Sequence, residues 1–213
     1  MTRLADIVET EFAAAEIKTS LIGRKCWYGY TSVGNTFQIA LGRKVLRDRE
    51  ELEARRRLAG RRAARGVASR SSDPLSREFE RYRGEANLLV WCSWRLDGPR
   101  GPITSCDDDA GCEAGIRRLI GHTVRSVEIG DRWNLRLEFT GDLLLNVFPD
   151  HVGPAASFDG NWEVWKPKQA YLIGTDLNCE VLERGDESRR LVPAESRWRV
   201  APRRMHKAAR ASA

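Results

Sequence analysis

The chain has 213 residues, 41% of them hydrophobic, enough apolar material for a packed core, which excludes a chain disordered throughout. Its net charge of +6 is unevenly spread: residues 43–70 hold 11 basic against 4 acidic side chains, the tail from Arg197 holds 6 basic and no acidic ones, and the remainder carries 19 basic against 26 acidic. An acidic body with two basic appendages follows, so overall basicity does not by itself identify a nucleic-acid-binding fold.

The longest unbroken apolar run, Leu88–Cys92, is too short to cross a bilayer. Asp6, Glu9 and Glu11 stand where a secretory leader would be basic and then apolar, so a cytoplasmic protein without membrane association is expected. An odd count of 5 cysteines points to reduced thiols rather than a disulfide framework.

In chain order, Leu4, Ile7, Val8, Phe12 and Ala15 recur at helical spacing and predict an amphipathic helix over residues 3–18. Leu46–Arg65 is poor in apolar residues but rich in Arg/Glu pairs four apart, such as Arg47 with Glu51 and Arg49 with Glu53, which predicts a solvent-exposed helix. The Ser-rich stretch 67–74 reads as a linker. A strand is expected over 88–94, a short helix around Ile116–Ile120, and half-buried strands over 124–129, 135–139 and 143–148. Thr140-Gly141-Asp142 suits the turn of a hairpin between the last two. Further strands are expected over 162–165, 171–174 and 178–182.

Self-similarity organises these elements. Leu21-Ile22-Gly23 returns as Leu119-Ile120-Gly121, and in the same register of 98 residues Phe37, Ile39 and Leu41 land on Leu135, Leu137 and Phe139. Asn87–Trp91 resembles Asn161–Trp165 at a spacing of 74, so the first copy holds about 24 additional residues, coinciding with the Arg-rich stretch. The expected architecture is mainly β (α+β): two diverged copies of a β unit, each preceded by a helix, with an Arg-rich helical insertion in the first. Residues 1–110 form the first unit with the insertion at 43–85, residues 111–190 the second, and residues 191–213 a basic tail. Deleting residues from about 46 to 70 is expected to leave the β body folded.

No constellation points firmly to catalysis. His122 reads as a partly buried strand residue, and Asp150 and His151 are adjacent in a loop, where side chains usually diverge. Cys106 and Cys112 flank Asp107, Asp108 and Asp109, but no second ligand pair lies at zinc spacing and the aspartates lack a calcium loop's alternation. An acidic loop capping a helix from about Ala110 explains them better. No Gly-rich phosphate cradle follows a strand. The expectation is therefore a non-enzyme without cofactor or metal.

Seven tryptophans stand out. Trp91 and Trp94, like Trp162 and Trp165, are three apart and face opposite sides of a strand, so one of each pair can enter the core while the other meets a partner. These four are the candidate partner-binding residues. Arg55, Arg56, Arg57, Arg61 and Arg62 are the candidates for contact with phosphate or an acidic partner. A protein partner is the first expectation, and a nucleic acid gripped by the insertion and tail is the alternative.

Residues 86–182, with Leu119-Ile120-Gly121, the run Trp133–Phe148 and the closing Asn161-Trp162-Glu163-Val164-Trp165, resemble a group of small bacterial β-rich proteins. Some of those are found beside polymorphic-toxin or defence genes, so the resemblance implies an immunity or accessory role and carries no catalytic residues. The Arg-rich insertion departs from their pattern.

Overall fold

The computed structural model describes residues 4–32, 36–49, 51–53, 56–57, 73–150 and 160–183. Among the described residues eleven segments form strands: β1 (Cys26–Thr31), β2 (Phe37–Leu46), β3 (Tyr82–Val90), β4 (Ser93–Asp97), β5 (Ile103–Thr104), β6 (Val124–Ile129), β7 (Leu135–Phe139), β8 (Leu143–Phe148), β9 (Gly160–Trp165), β10 (Gln169–Gly174) and β11 (Cys179–Glu183), with alternating burial clearest in β7 and β8. Helix α1 (Leu4–Leu21) precedes β1, α2 (Pro74–Arg81) precedes β3 and α3 (Asp109–Arg117) precedes β6. The protein is mainly β, as its alternation predicts.

All pairings are antiparallel and build two sheets, one ordered β1-β2-β3-β9-β10-β11 and the other β5-β4-β8-β7-β6. Each sheet is a meander from one half of the sequence extended by strands from the other half. The crossing is short on the first side: Trp91 and Cys92 join β3 to β4, and both their N–H groups donate to the Asn161 carbonyl, at 2.9 and 3.2 Å. A boundary at residue 110 therefore separates sequence halves but not sheets.

The core lies between the sheets. Alternate residues such as Ile39, Leu88 and Val164 from the first sheet meet Leu137, Leu145 and Leu96 from the second, all fully buried. The helices cross over in the same sense as the strands, α1 packing on β6 and α3 on β1. Gly29 makes the second contact close, since a Cβ there would stand 3.0 Å from the Ile116 carbonyl oxygen.

The 98-residue register is visible in the ladders. A bulge between Cys26 and Tyr28 faces Leu41 and Ala40, and one between Val124 and Ser126 faces Phe139 and Glu138. Phe37, Ile39 and Leu41 thus occupy the second strand of one meander, and Leu135, Leu137 and Phe139 the second strand of the other. The similarity of Asn87–Trp91 to Asn161–Trp165 has a different basis. These segments are neighbours in one sheet, with Asn87 opposite Trp165 and Val90 opposite Trp162, and they share a pattern because they share an environment. The strand standing beside β8 as β9 stands beside β3 is β4.

The Arg-rich segment begins later and ends earlier than expected. Lys44, Val45 and Leu46 pair with Gly84, Arg83 and Tyr82, so β2 and β3 form one long hairpin whose connecting arm is residues 47–81. Within that arm α2 begins at Pro74, the last residue of the expected linker, whose residues 67–72 lie outside the described residues. Its signal is Asp73-Pro74: the Asp73 carboxylate accepts from the Leu75 N–H at 3.2 Å, and proline is pre-set for the first helical turn.

Candidate partner-binding face

The outer faces of the two sheets differ. Across the five-stranded sheet, Glu128, Arg136, Asn146, Arg95 and Thr104 lie in register and form a solvated row. Across the six-stranded sheet the corresponding row is Tyr30, Gln38, Leu89, Glu163, Leu172 and Glu180, and the next is Tyr28, Ala40, Asn87, Trp165, Ala170 and Leu182. Ala40, Asn87, Glu163, Ala170 and Leu172 are buried, so this face is covered or recessed where its counterpart is wet.

At the β1 end the cover is α2. Its sole buried side chain, Phe79, stacks on Tyr28 with ring centroids 4.1 Å apart and planes 2° from parallel, and Trp27 closes the side at 6.1 Å. The Arg47 guanidinium lies 4.9 Å over the Phe79 ring while its Nε donates to the Phe79 carbonyl at 3.2 Å. Arg47 also pairs with Glu51, whose other oxygen accepts from Arg83 at 3.2 Å. Arg47 and Glu51 are both 5% exposed, so the pair expected on a solvated helix is instead the buried anchor of the arm. Asp48 caps that helical start, accepting from the Glu51 N–H at 2.8 Å.

Outward from this root the charges alternate. Glu85 holds Arg24 and Arg43, Lys44 holds Glu78 at 2.5 Å, and Arg117 bridges Asp73 at 2.8 Å and Glu113 at 3.0 Å. Partial burial pulls the Glu85 carboxyl up, but the Arg43 backbone N–H, the Arg43 side chain and the Arg24 charge outweigh it and hold it below its usual value. Among the described residues, the buried side-chain donors without an acceptor are Trp27 Nε1 and Arg83 Nε, both at this root. Such a group costs about 1–3 kcal/mol, so the arm is seated at some expense.

The tryptophan pairs separate as opposite-face residues must, and two of the four sequence candidates are corrected. Trp94 and Trp162 are 1% and 0% exposed. Trp94 meets Phe37 edge-on at 5.3 Å, and Trp162 donates its indole N–H to the Trp133 carbonyl at 2.9 Å. Neither can touch a partner. Trp91 and Trp165 are half-buried, and both lie on the outer side of the six-stranded sheet. The Trp165 indole donates to Glu163. The Trp91 ring lies over Gly160, where a Cβ would stand 3.2 Å from Trp91 Cζ3 and 3.0 Å from Leu172 Cδ1. Arg56 and Arg57 are helical and exposed, Arg57 lying 4.0 Å from Glu53. Arg55, Arg61 and Arg62 lie outside the described residues, as does the tail from Arg197.

The other polar clusters are structural. Asp108 is the N-cap of α3, accepting from the Gly111 N–H at 2.7 Å, and Asp107 accepts from the Thr104 N–H at 2.6 Å. Burial, then the charges of Asp107, Asp109 and Asp108, push the Cys112 thiol up. Asp150 turns its carboxylate onto the Ser93 N–H at 3.2 Å and onto the Ser93 hydroxyl, at the start of β4. His151 lies outside the described residues. His122 Nδ1 lies 3.2 Å from the Thr140 hydroxyl, beside the hairpin turn. Among the described residues no group of three His, Cys, Asp or Glu is placed to hold a metal ion, and no helix is long and apolar enough to cross a membrane.

No protein family, curated protein or solved structure matches the chain.

Proposed function

We propose that this chain is a non-enzymatic binding protein that engages a partner protein through the outer face of its six-stranded sheet. The observation that carries the reading is the contrast between the two sheets. Tyr28, Tyr30 and Ala40 occupy slots that the 98-residue register fills with Ser126, Glu128 and Glu138 in the other sheet. One face is thus specialised with rings, arginines and a buried acid, while its counterpart keeps ordinary solvated residues. Half-buried tryptophans such as Trp91 and Trp165 on a sheet face are the kind of residue that anchors interfaces.

A nucleic acid would use the same arm. Glu53 and Glu78 stand among its described basic residues and would repel a phosphate backbone, which favours a protein surface. The shared register and mirrored bulges support reading the chain as two diverged copies of one β unit. The accessory or immunity role in the bacterial cytoplasm implied by the resemblance of residues 86–182 belongs to this proposal.

Affinity purification of the tagged chain from its native host, with and without nuclease, tests the reading. We expect a stoichiometric protein that survives nuclease and is lost from Trp91→Ala and Trp165→Ala variants. Nuclease-sensitive capture indifferent to both tryptophans would replace it with the nucleic-acid reading.

A further inference from the structure

We infer that helix α1 joins two copies of this chain, antiparallel, through the side it turns away from the body. The inference goes beyond the binding reading above and uses a different face. Ala13, Ile17 and Leu21 carry the inner side of α1 into the core. Phe12, Ala15, Thr19 and Ile22 are all exposed, and Ile22 keeps the helical bond to the Lys18 carbonyl at 3.0 Å. Their spacing of three, four and three residues sets them in one row on the opposite side of the helix. Phe12, 64% exposed, is the most exposed large apolar side chain among the described residues, and Ile22 at the other end of the row is 49% exposed. The Thr19 hydroxyl is satisfied within the helix, donating to the Ala15 carbonyl at 2.9 Å. A solvated helix carries polar and charged side chains on its outer side, whereas an apolar row at this spacing is the seam of a helix pair.

Charge selects the occupant. Glu11 and Lys18 border the row on one flank, seven residues apart, both exposed and neither in an ion pair among the described residues. On the other flank Glu16 is held by Lys166 of its own chain at 3.1 Å. Two antiparallel copies of α1 that set Phe12 against the small Ala15 of the second copy bring Glu11 beside the second copy's Lys18, and the two-fold axis repeats both contacts. A parallel pair would bring Glu11 toward the second copy's Glu16 instead. Opposed helix dipoles favour the antiparallel arrangement as well. In that register the axis passes between Ala13 and Ala14, near the middle of Leu4–Leu21, so the two helices overlap along nearly their whole length.

Sedimentation equilibrium of the full-length protein over a range of concentrations tests the pairing. The wild type should pass from monomer to dimer. Phe12→Glu should stay monomeric with an unchanged unfolding midpoint, because the ring is exposed, while Phe148→Glu, at an exposed ring on the five-stranded sheet, should dimerise like the wild type. Glu11→Lys and Lys18→Glu should each weaken the dimer about tenfold, since each turns two attractions into two repulsions, and the double variant should recover it. A monomer at every concentration, a dimer indifferent to Phe12→Glu, or a double variant no tighter than the single ones overturns the inference. Should Phe12→Glu fail to fold, the charge swap decides alone. A monomeric wild type whose capture of the native partner is lost in Phe12→Glu would give the helix face to that partner and also overturn the inference.

Discussion

Lys25 and Thr123, 98 residues apart, face each other in a single antiparallel bridge between the two sheets. The backbone bonds around it are reciprocal. Gly23 N–H donates to the Val124 carbonyl at 2.8 Å and Gly121 N–H to the Cys26 carbonyl at 2.7 Å. Val124 N–H then donates to the Arg24 carbonyl at 3.0 Å and Cys26 N–H to the His122 carbonyl at 2.8 Å. Each bond becomes its partner when 98 is added to one residue and subtracted from the other, so the two meanders meet as equals.

The glycines that make these bonds should be equally sensitive. Gly23 and Gly121 have φ of +74° and +92°, and a Cβ at either would meet nothing within 4 Å. Alanine therefore brings only the left-handed backbone cost, about 1 kcal/mol at each site. Urea unfolding of Gly23→Ala and Gly121→Ala checks this, and costs differing by more than about 0.5 kcal/mol would contradict the equivalence.

The arm root should be far more sensitive than the arm's exposed residues. Glu51→Ala leaves the Arg47 and Arg83 guanidinium groups in a buried site without their shared carboxylate, at a cost of about 3–5 kcal/mol. Arg49→Ala breaks a 2.9 Å pair whose arginine is 91% exposed and should cost under about 0.5 kcal/mol. Deleting residues 46–70 removes Arg47 and Glu51 and should lower the thermal midpoint, contrary to the sequence expectation. A midpoint unchanged by that deletion would show that the buried triad contributes no stability.

Stability and binding should divide between the tryptophans. Trp94→Ala and Trp162→Ala empty core positions and should cost about 3–5 kcal/mol in chemical denaturation. Trp91→Ala and Trp165→Ala should cost less than about 2 kcal/mol in stability, because each ring already meets solvent. Their effect should appear in partner affinity, on the order of 2 kcal/mol for an anchor residue. Equal stability losses at all four positions would contradict the division.

Thiol labelling should single out Cys106, the exposed cysteine. Burial pushes the Cys26, Cys92 and Cys179 thiols up to about 12, with the Asp150 charge adding to the effect at Cys92 and the Glu180 charge at Cys179. A raised thiol value means less thiolate at pH 8, and thiolate is the reactive form. With a chromogenic disulfide at pH 8, one equivalent should react quickly and the other four only after denaturation. Two fast equivalents, or a mapped disulfide in the freshly isolated protein, would contradict this.

Period-two alternation in Leu135–Phe139 and Leu143–Phe148, the turn at Thr140–Asp142 and the helical character of α1 were legible in the sequence because each is a local preference; the buried face of α1 was not, since Phe12 is 64% exposed and Ala15 is exposed while Ala13, Ile17 and Leu21 enter the core. The common register of Phe37–Leu41 and Leu135–Phe139 was legible for the same reason. Strand partnership was not, since it depends on contacts between distant segments: only the tertiary structure hands β4 and β5 to one sheet and β9, β10 and β11 to the other. A spacing of three put Trp162 and Trp165 on opposite faces, but which face is core depends on what lies against the sheet. Likewise, four-residue spacing brought Arg47 to Glu51 on any helix, and burial came only when Phe79 and Arg83 were folded over them. The outer face of the six-stranded sheet exists only once β1–β3 and β9–β11, distant in sequence, have been brought into register.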